Sequence, residues 1–280
     1  MTGDSPTGSE PTAFVPIDPY ALTRREAAAT QIKRFYKQAT IGTLAGGHTV
    51  LLDGKAVKTP ARADLNLPGS EFAAVLADEW NRQGDIVQPG DMPLTRLINS
   101  VIDGVSTHAD DVRAEIIKFA GTDLLCYRAD EPASLVELQA REWDPVIAWA
   151  GSDLGARFNL AVGVIHVAQP DATLEAVAAA IAEGIGNGRE AAFRLGALHV
   201  VTTLTGSAIL ALAVMRAALT PDEAWRKAHV DEDFQISRWG EDADAAERRA
   251  LRWQDLQAAA FVLAALRIGS HAPIDVSEQA

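Results

Sequence analysis

The apolar positions of this chain change period near Ser70. Before it come short apolar or β-branched runs, Phe35 to Ile41, Thr49 to Leu52 and Ala56-Val57, separated by Gly46-Gly47 and Asp53-Gly54. An Asp-Gly pair supports the positive φ of a tight hairpin turn, so these runs predict a few antiparallel strands. From Ser70, read as a cap, the period becomes helical. Phe72, Val75, Leu76 and Trp80 share one stripe to about Gly84. Leu94, Leu97, Ile98, Val101, Ile102 and Val105 share another after Pro93, and a third helix is expected from about Asp110 to Ala120. Leu124 to Tyr127 is compatible with a returning strand.

Beyond Asp130-Glu131-Pro132 helical patterns dominate. They cover Ser134–Gly151, Asp171–Ile185, Arg189–Leu198, an apolar segment to Leu219, Thr220–Trp239 and Asp242–Leu266. Leu160 to Val167 reads equally as strand or extended loop. The expected fold class is α+β: a small N-terminal α+β domain over 31–130 with a few antiparallel strands, then a mainly α-helical C-terminal domain over 131–280. Residues 1–30 read as a disordered tail, rich in Pro, Ser, Thr and Gly.

Leu198 to Met215 is eighteen residues long without Lys, Arg, Asp or Glu, which is long enough to consider a membrane span. Its polar first half (His199, Thr202, Thr203, Thr205, Ser207) and the lack of a second such segment favour a buried helix. The alternative is attachment to a membrane through this segment.

Charge and cysteine content narrow the function classes. With 25 basic and 38 acidic residues, net −13, the chain has no basic footprint for nucleic acid. One cysteine excludes a disulfide framework or a multi-cysteine metal site and suits a reducing compartment. Met1 to Tyr20 contains no Lys or Arg, so it resembles neither a secretory signal nor a transit peptide. The expectation is a bacterial cytoplasmic protein, monomeric when free, without cofactor, metal, nucleic acid or stable membrane insertion.

Thr220-Pro221-Asp222-Glu223 reads as N-cap, N1 proline and capping-box glutamate. In one helix from there, Trp225, Ala228, Glu232, Ile236 and Trp239 fall on a single stripe. A carboxylate then sits at an apolar seam, where an unpaired charge costs several kcal/mol, on the order of 3–5. Glu79 borders an apolar stripe in the same way, next to Trp80; an internal ion pair with Arg96, Arg113, Arg128 or Arg141 would account for it. The neighbouring Asp231 and Asp233, with Phe234, Gln235 and Trp239, extend the acid along an amphipathic helix and favour a binding role there. His229 with Asp233 has metal-ligand spacing but no evident further ligand. Gly184-Ile185-Gly186-Asn187-Gly188 reads as a turn between helices, and Cys126 as a small core residue. An enzyme with Glu79 or Glu232 as general base is the alternative.

An ordered set of segments carries a family resemblance. It comprises Phe35-Tyr36, Val50-Leu51-Leu52-Asp53-Gly54-Lys55, Lys58-Thr59-Pro60, Glu79-Trp80, Met92-Pro93-Leu94-Thr95-Arg96-Leu97 and Asp103. It continues with Gly121 to Arg128, Trp143-Asp144-Pro145 and Asp231 to Trp239. Over roughly Lys33 to Leu266 the chain resembles the assembly chaperones of the F1-ATPase alpha subunit, found in mitochondria and alphaproteobacteria. The resemblance implies a non-enzymatic chaperone that binds unassembled alpha subunit and shields its interface until the beta subunit replaces it. It also implies a functional acid in the last segment. Glu232 is the residue assigned, and Asp231 aligns nearly as well. The full partner-binding set is Glu232, Asp231, Asp233, Phe234, Gln235, Trp239, Glu79 and Trp80.

Overall fold

Two turns organise the N-terminal sheet of the computed structural model, which describes residues 32–163 and 165–268. The expected tail falls outside these residues. Gly46 (φ 85) closes β1 (Ala39–Leu44) onto β2 (Gly47–Leu52), and Asp53 (φ 47) with Gly54 (φ 83) turns β2 into β3 (Lys55–Ala56). The sheet is antiparallel in the order β1-β2-β3. The first strand begins later than Phe35. Phe35 lies 68% exposed outside it, because the Asp53 carboxylate takes the Lys37 and Gln38 N–H groups at 3.0 Å each and anchors the strand start there.

Helix α1 (Ser70–Asn81) covers the sheet. Its N-cap is Gly69, with no side-chain cap, so Ser70 does not cap it as expected. α2 (Pro93–Ser100) continues through a π-helical turn at Val101–Val105 and is followed by α3 (Ala109–Gly121). Leu124–Cys126 form a 3-10 turn, and only Tyr127–Arg128 make a strand, β4, parallel to β5 (Ala161–Val162). Between them runs α4 (Ala133–Asp153). α5 (Asp171–Ile185), α6 (Ala191–Thr205), α7 (Ala208–Met215), α8 (Pro221–Ala228), α9 (Val230–Trp239) and α10 (Ala243–Ala265) complete the fold.

The apolar segment is two helices, α6 and α7, rather than one. Gly206 ends α6 at φ 67 and Ser207 caps α7 by accepting the Leu210 N–H at 3.0 Å. Every residue of α7 is buried, which explains its lack of polar positions. Among the described residues no helix is long and apolar enough to cross a membrane.

A single apolar core runs from Tyr36 to Leu266. α6 lies at its centre, packed against α3, α7 and α10. Arg96 of α2 and Asp255 of α10 form a largely buried ion pair that ties the last helix to the N-terminal region. Arg194 of α6 donates to the Leu266 carbonyl (2.5 Å) and the Ile185 carbonyl (2.8 Å). A cation at the ends of α5 and α10 thereby satisfies carbonyls left without helical partners.

Candidate functional site

The capping box forms as the sequence indicates. Thr220 Oγ1 accepts the Glu223 N–H at 3.2 Å and Glu223 Oε2 accepts the Thr220 N–H at 2.7 Å. The helix it starts does not reach Trp239. It stops at Ala228 because His229 (φ −113, ψ 18) leaves the helical region, its Nδ1 bonded to the Trp225 carbonyl at 2.7 Å. The Trp225 and His229 rings pack at a tilt, with centroids 4.0 Å apart. A new helix, α9, begins at Val230, so the expected single stripe does not exist. Trp225 is buried, whereas Glu232 and Trp239 point outward. The expected burial of the Glu232 charge is therefore corrected: its side chain is 42% exposed.

The three acids at the start of α9 suit the positive end of the helix dipole. Their surroundings differ. Asp231 accepts from Gln139 Nε2 of α4 at 2.7 Å, and Gln139 Oε1 in turn accepts the Ala129 N–H at 2.8 Å. Asp233 pairs with Arg249 of α10 at 2.5 Å. Glu232 has one ion-pair contact among the described residues, the His229 imidazole at 3.8 Å, and Arg249, committed to Asp233, lies close enough for the two charges to attract. Burial lowers the pKa of His229, which keeps it neutral, so it does not cancel the carboxylate. The geometry thus separates Glu232 from its two neighbours.

Gly240 (φ 88) turns the chain after α9, and Asp242 caps α10 by accepting the Ala245 N–H at 2.8 Å. The two helices enclose a shallow groove of about 220 Å³ lined by Glu232, Gln235, Ile236, Trp239 and Arg249, with Glu241 and Asp242 at the turn. Trp239, at its rim, is 84% exposed. Phe234 packs partly against the core, with the Arg238 guanidinium 5.1 Å from its ring centroid. Sequence reasoning missed Arg249. The signal was the Gly240 turn followed by the Asp242 cap, which brings α10 back alongside α9.

Glu79 and Trp80 lie apart from this surface in the structure. Glu79, 6% exposed, serves α2: Oε1 accepts the Leu94 N–H (2.8 Å), and Oε2 accepts the Thr95 N–H (2.8 Å) and hydroxyl (2.7 Å). Met92 cannot cap that helix with its own side chain, so α1 supplies the cap. Burial raises the pKa of Glu79 despite these bonds. Among the described residues no arginine forms a salt bridge with it. Arg96 goes to Asp255, Arg113 to Asp110, Arg128 to Asp144 and Arg141 to Glu142. Trp80 packs against Tyr36, ring centroids 5.5 Å apart, and its carbonyl accepts the Tyr36 hydroxyl at 2.6 Å. Both residues hold the fold together.

Among the described residues no cluster of three potential ligands could hold a metal ion. Gly186 (φ 59) and Gly188 (φ 84) form the turn between α5 and α6. The Cys126 thiol, buried, has its pKa pushed up to about 12 by burial.

The chain is thus an α+β protein with an outward acidic helix that ends in an exposed tryptophan. The family model of the ATP12 chaperone protein matches residues 33–151. The crystal structure of the Agrobacterium tumefaciens protein Atu1473 superposes with a TM-score of 0.78 at 46% identity, covering 84% of this chain and 86% of that one. Atp12 from Paracoccus denitrificans gives 0.74 at 38% identity, over 83% of this chain and 97% of its own. The mitochondrial protein atp12 of Schizosaccharomyces pombe is 23% identical over 226 residues, 77% of this chain and 76% of that protein. The chain belongs to the ATP12 chaperone family, whose members serve ATP synthase assembly.

Proposed function

We propose that this chain binds unassembled F1-ATPase alpha subunit and shields its interface until the beta subunit replaces it. The observation that carries this reading is Glu232, an acid at the head of α9 that no described Lys or Arg meets in a salt bridge, beside the exposed Trp239. A free subunit exposes apolar surface that its assembled neighbours later cover, and such surface aggregates. Trp239 supplies an apolar anchor of the kind that dominates interfaces, and Glu232 meets a basic group and sets orientation.

Release needs no ATP hydrolysis on this reading. The beta subunit displaces the chaperone by mass action and a larger buried area. The chain acts by binding rather than by a chemical step, as a monomer in the bacterial cytoplasm. Purified alpha subunit tests this. The chain is expected to bind it one-to-one, keep it soluble, and leave when beta subunit is added. Equal binding to assembled F1, or no binding to alpha, contradicts the reading.

A further inference from the structure

β1 is the outer strand of its sheet, and the register fixes which of its backbone groups face away from β2. Leu44 pairs with Gly47 across a two-residue turn, so that pair exchanges both ladder bonds, as do Gly42–Thr49 and Thr40–Leu51. The far side of β2 agrees: Val50 accepts from Val57 (2.9 Å), and His48 exchanges bonds with Leu67. Ala39, Ile41 and Thr43 therefore direct N–H and C=O outward. At Ala39 the Asn81 amide takes the place of a neighbouring strand, accepting the N–H at 2.8 Å and donating to the carbonyl at 2.9 Å. Ile41 and Thr43 have no such substitute among the described residues.

Proteins guard open edges with charge, proline or a bulge. Ala39–Leu44 reads Ala-Thr-Ile-Gly-Thr-Leu and pairs through six consecutive positions, so it carries none of these. Ile41 is 47% exposed. Charge indicates what fits there. In a chain of net −13, residues 33–64 hold Lys33, Arg34, Lys37, Lys55, Lys58 and Arg62 against two carboxylates, Asp53 and Asp64, the latter paired with Lys58. Lys37 is exposed at the start of β1, and at its other end Arg189 donates only to neutral acceptors, the Gly46 carbonyl and Asn66 Oδ1. A second copy added antiparallel about Gly42 would set Lys37 against Gly47 and so against Arg189, cation facing cation.

We infer that the β1 edge receives an extended segment of the client polypeptide as a fourth strand. The segment pairs at Ile41 and Thr43, with apolar or β-branched side chains between them and carboxylates at its ends. This rests on the reading that the chain binds unassembled alpha subunit, and adds where a strand of that client lies. With an acidic helix on one surface and a cation-flanked strand on another, the two contacts have opposite polarity and together fix orientation.

Amide hydrogen exchange on the full chain, free and with purified alpha subunit, tests the pairing. Thr40 and Gly42 are protected in both states. Ile41 and Thr43 exchange freely alone and gain protection in the complex. Binding without that gain overturns the inference while leaving the proposed function intact. Thr43→Pro removes an outward donor and leaves the ladder, so the Kd is expected to rise roughly tenfold. Lys37→Glu is expected to weaken binding by a smaller factor. Unchanged affinity in both variants overturns the inference. So does a dimer of the chain alone that Thr43→Pro disrupts, since the occupant would then be a second copy. Wild-type protein that ignores alpha subunit overturns both readings.

Discussion

At the head of α2 a carboxylate arrives from a neighbouring helix and both of its oxygens accept hydrogen bonds. At the head of α9 the carboxylates come from the helix itself, and Glu232 is left over. Glu79 lies beside Trp80 and Glu232 lies on the helix that ends at Trp239, so their settings in the sequence look alike. The difference is geometric. Two uncapped N–H groups of α2 lie within reach of Glu79, whereas the turn at His229 swings Glu232 toward solvent. An acid at an apolar border thus serves the fold where backbone donors converge on it, and is free for a partner where they do not.

The largest effect expected from this contrast is on stability. Glu79→Ala strands two buried N–H groups at the head of α2 and is expected to destabilise the protein by about 4 kcal/mol, read by denaturant unfolding. A loss under 1 kcal/mol would remove the capping role. Asp123 sharpens the same point by pH. Burial raises its pKa from 3.8 to about 6, against bonds from Ser207 and from the Ile209 and Leu125 N–H groups. Between those pH values the native state holds a proton that the unfolded chain has lost. Stability from this group is therefore greatest below about pH 4 and falls by roughly 3 kcal/mol as pH rises through 6. Asp123→Asn is expected to flatten that slope in unfolding measured from pH 4 to 7. Trp239→Ala is the smallest of the three. It should leave the melting temperature unchanged and weaken alpha-subunit binding about thirtyfold, roughly 2 kcal/mol, by titration calorimetry.

Much of this was legible in the sequence where local chemistry decides it. The Asp53-Gly54 turn, the Thr220–Glu223 capping box and the turn through Gly186 and Gly188 appear where the residues indicate. Periodicity failed where a side chain interrupts a helix without changing its pattern. The imidazole of His229 captures the Trp225 carbonyl, and Gly206-Ser207 provides a left-handed end and a cap inside an unbroken apolar run. Periodicity also could not distinguish Glu79 from Glu232, because the donors that settle Glu79 come from residues fifteen and sixteen positions away. Asp231 and Asp233 were likewise separable only once α4 and α10 were seen beside them.

The most direct measurement is the affinity of Glu232→Lys for purified alpha subunit, with its melting temperature as control. The account predicts a nearly unchanged melting temperature, because this exposed side chain makes no hydrogen bond among the described residues, and binding weakened about a hundredfold. A variant equally stable that binds alpha subunit as tightly as the wild type would contradict it.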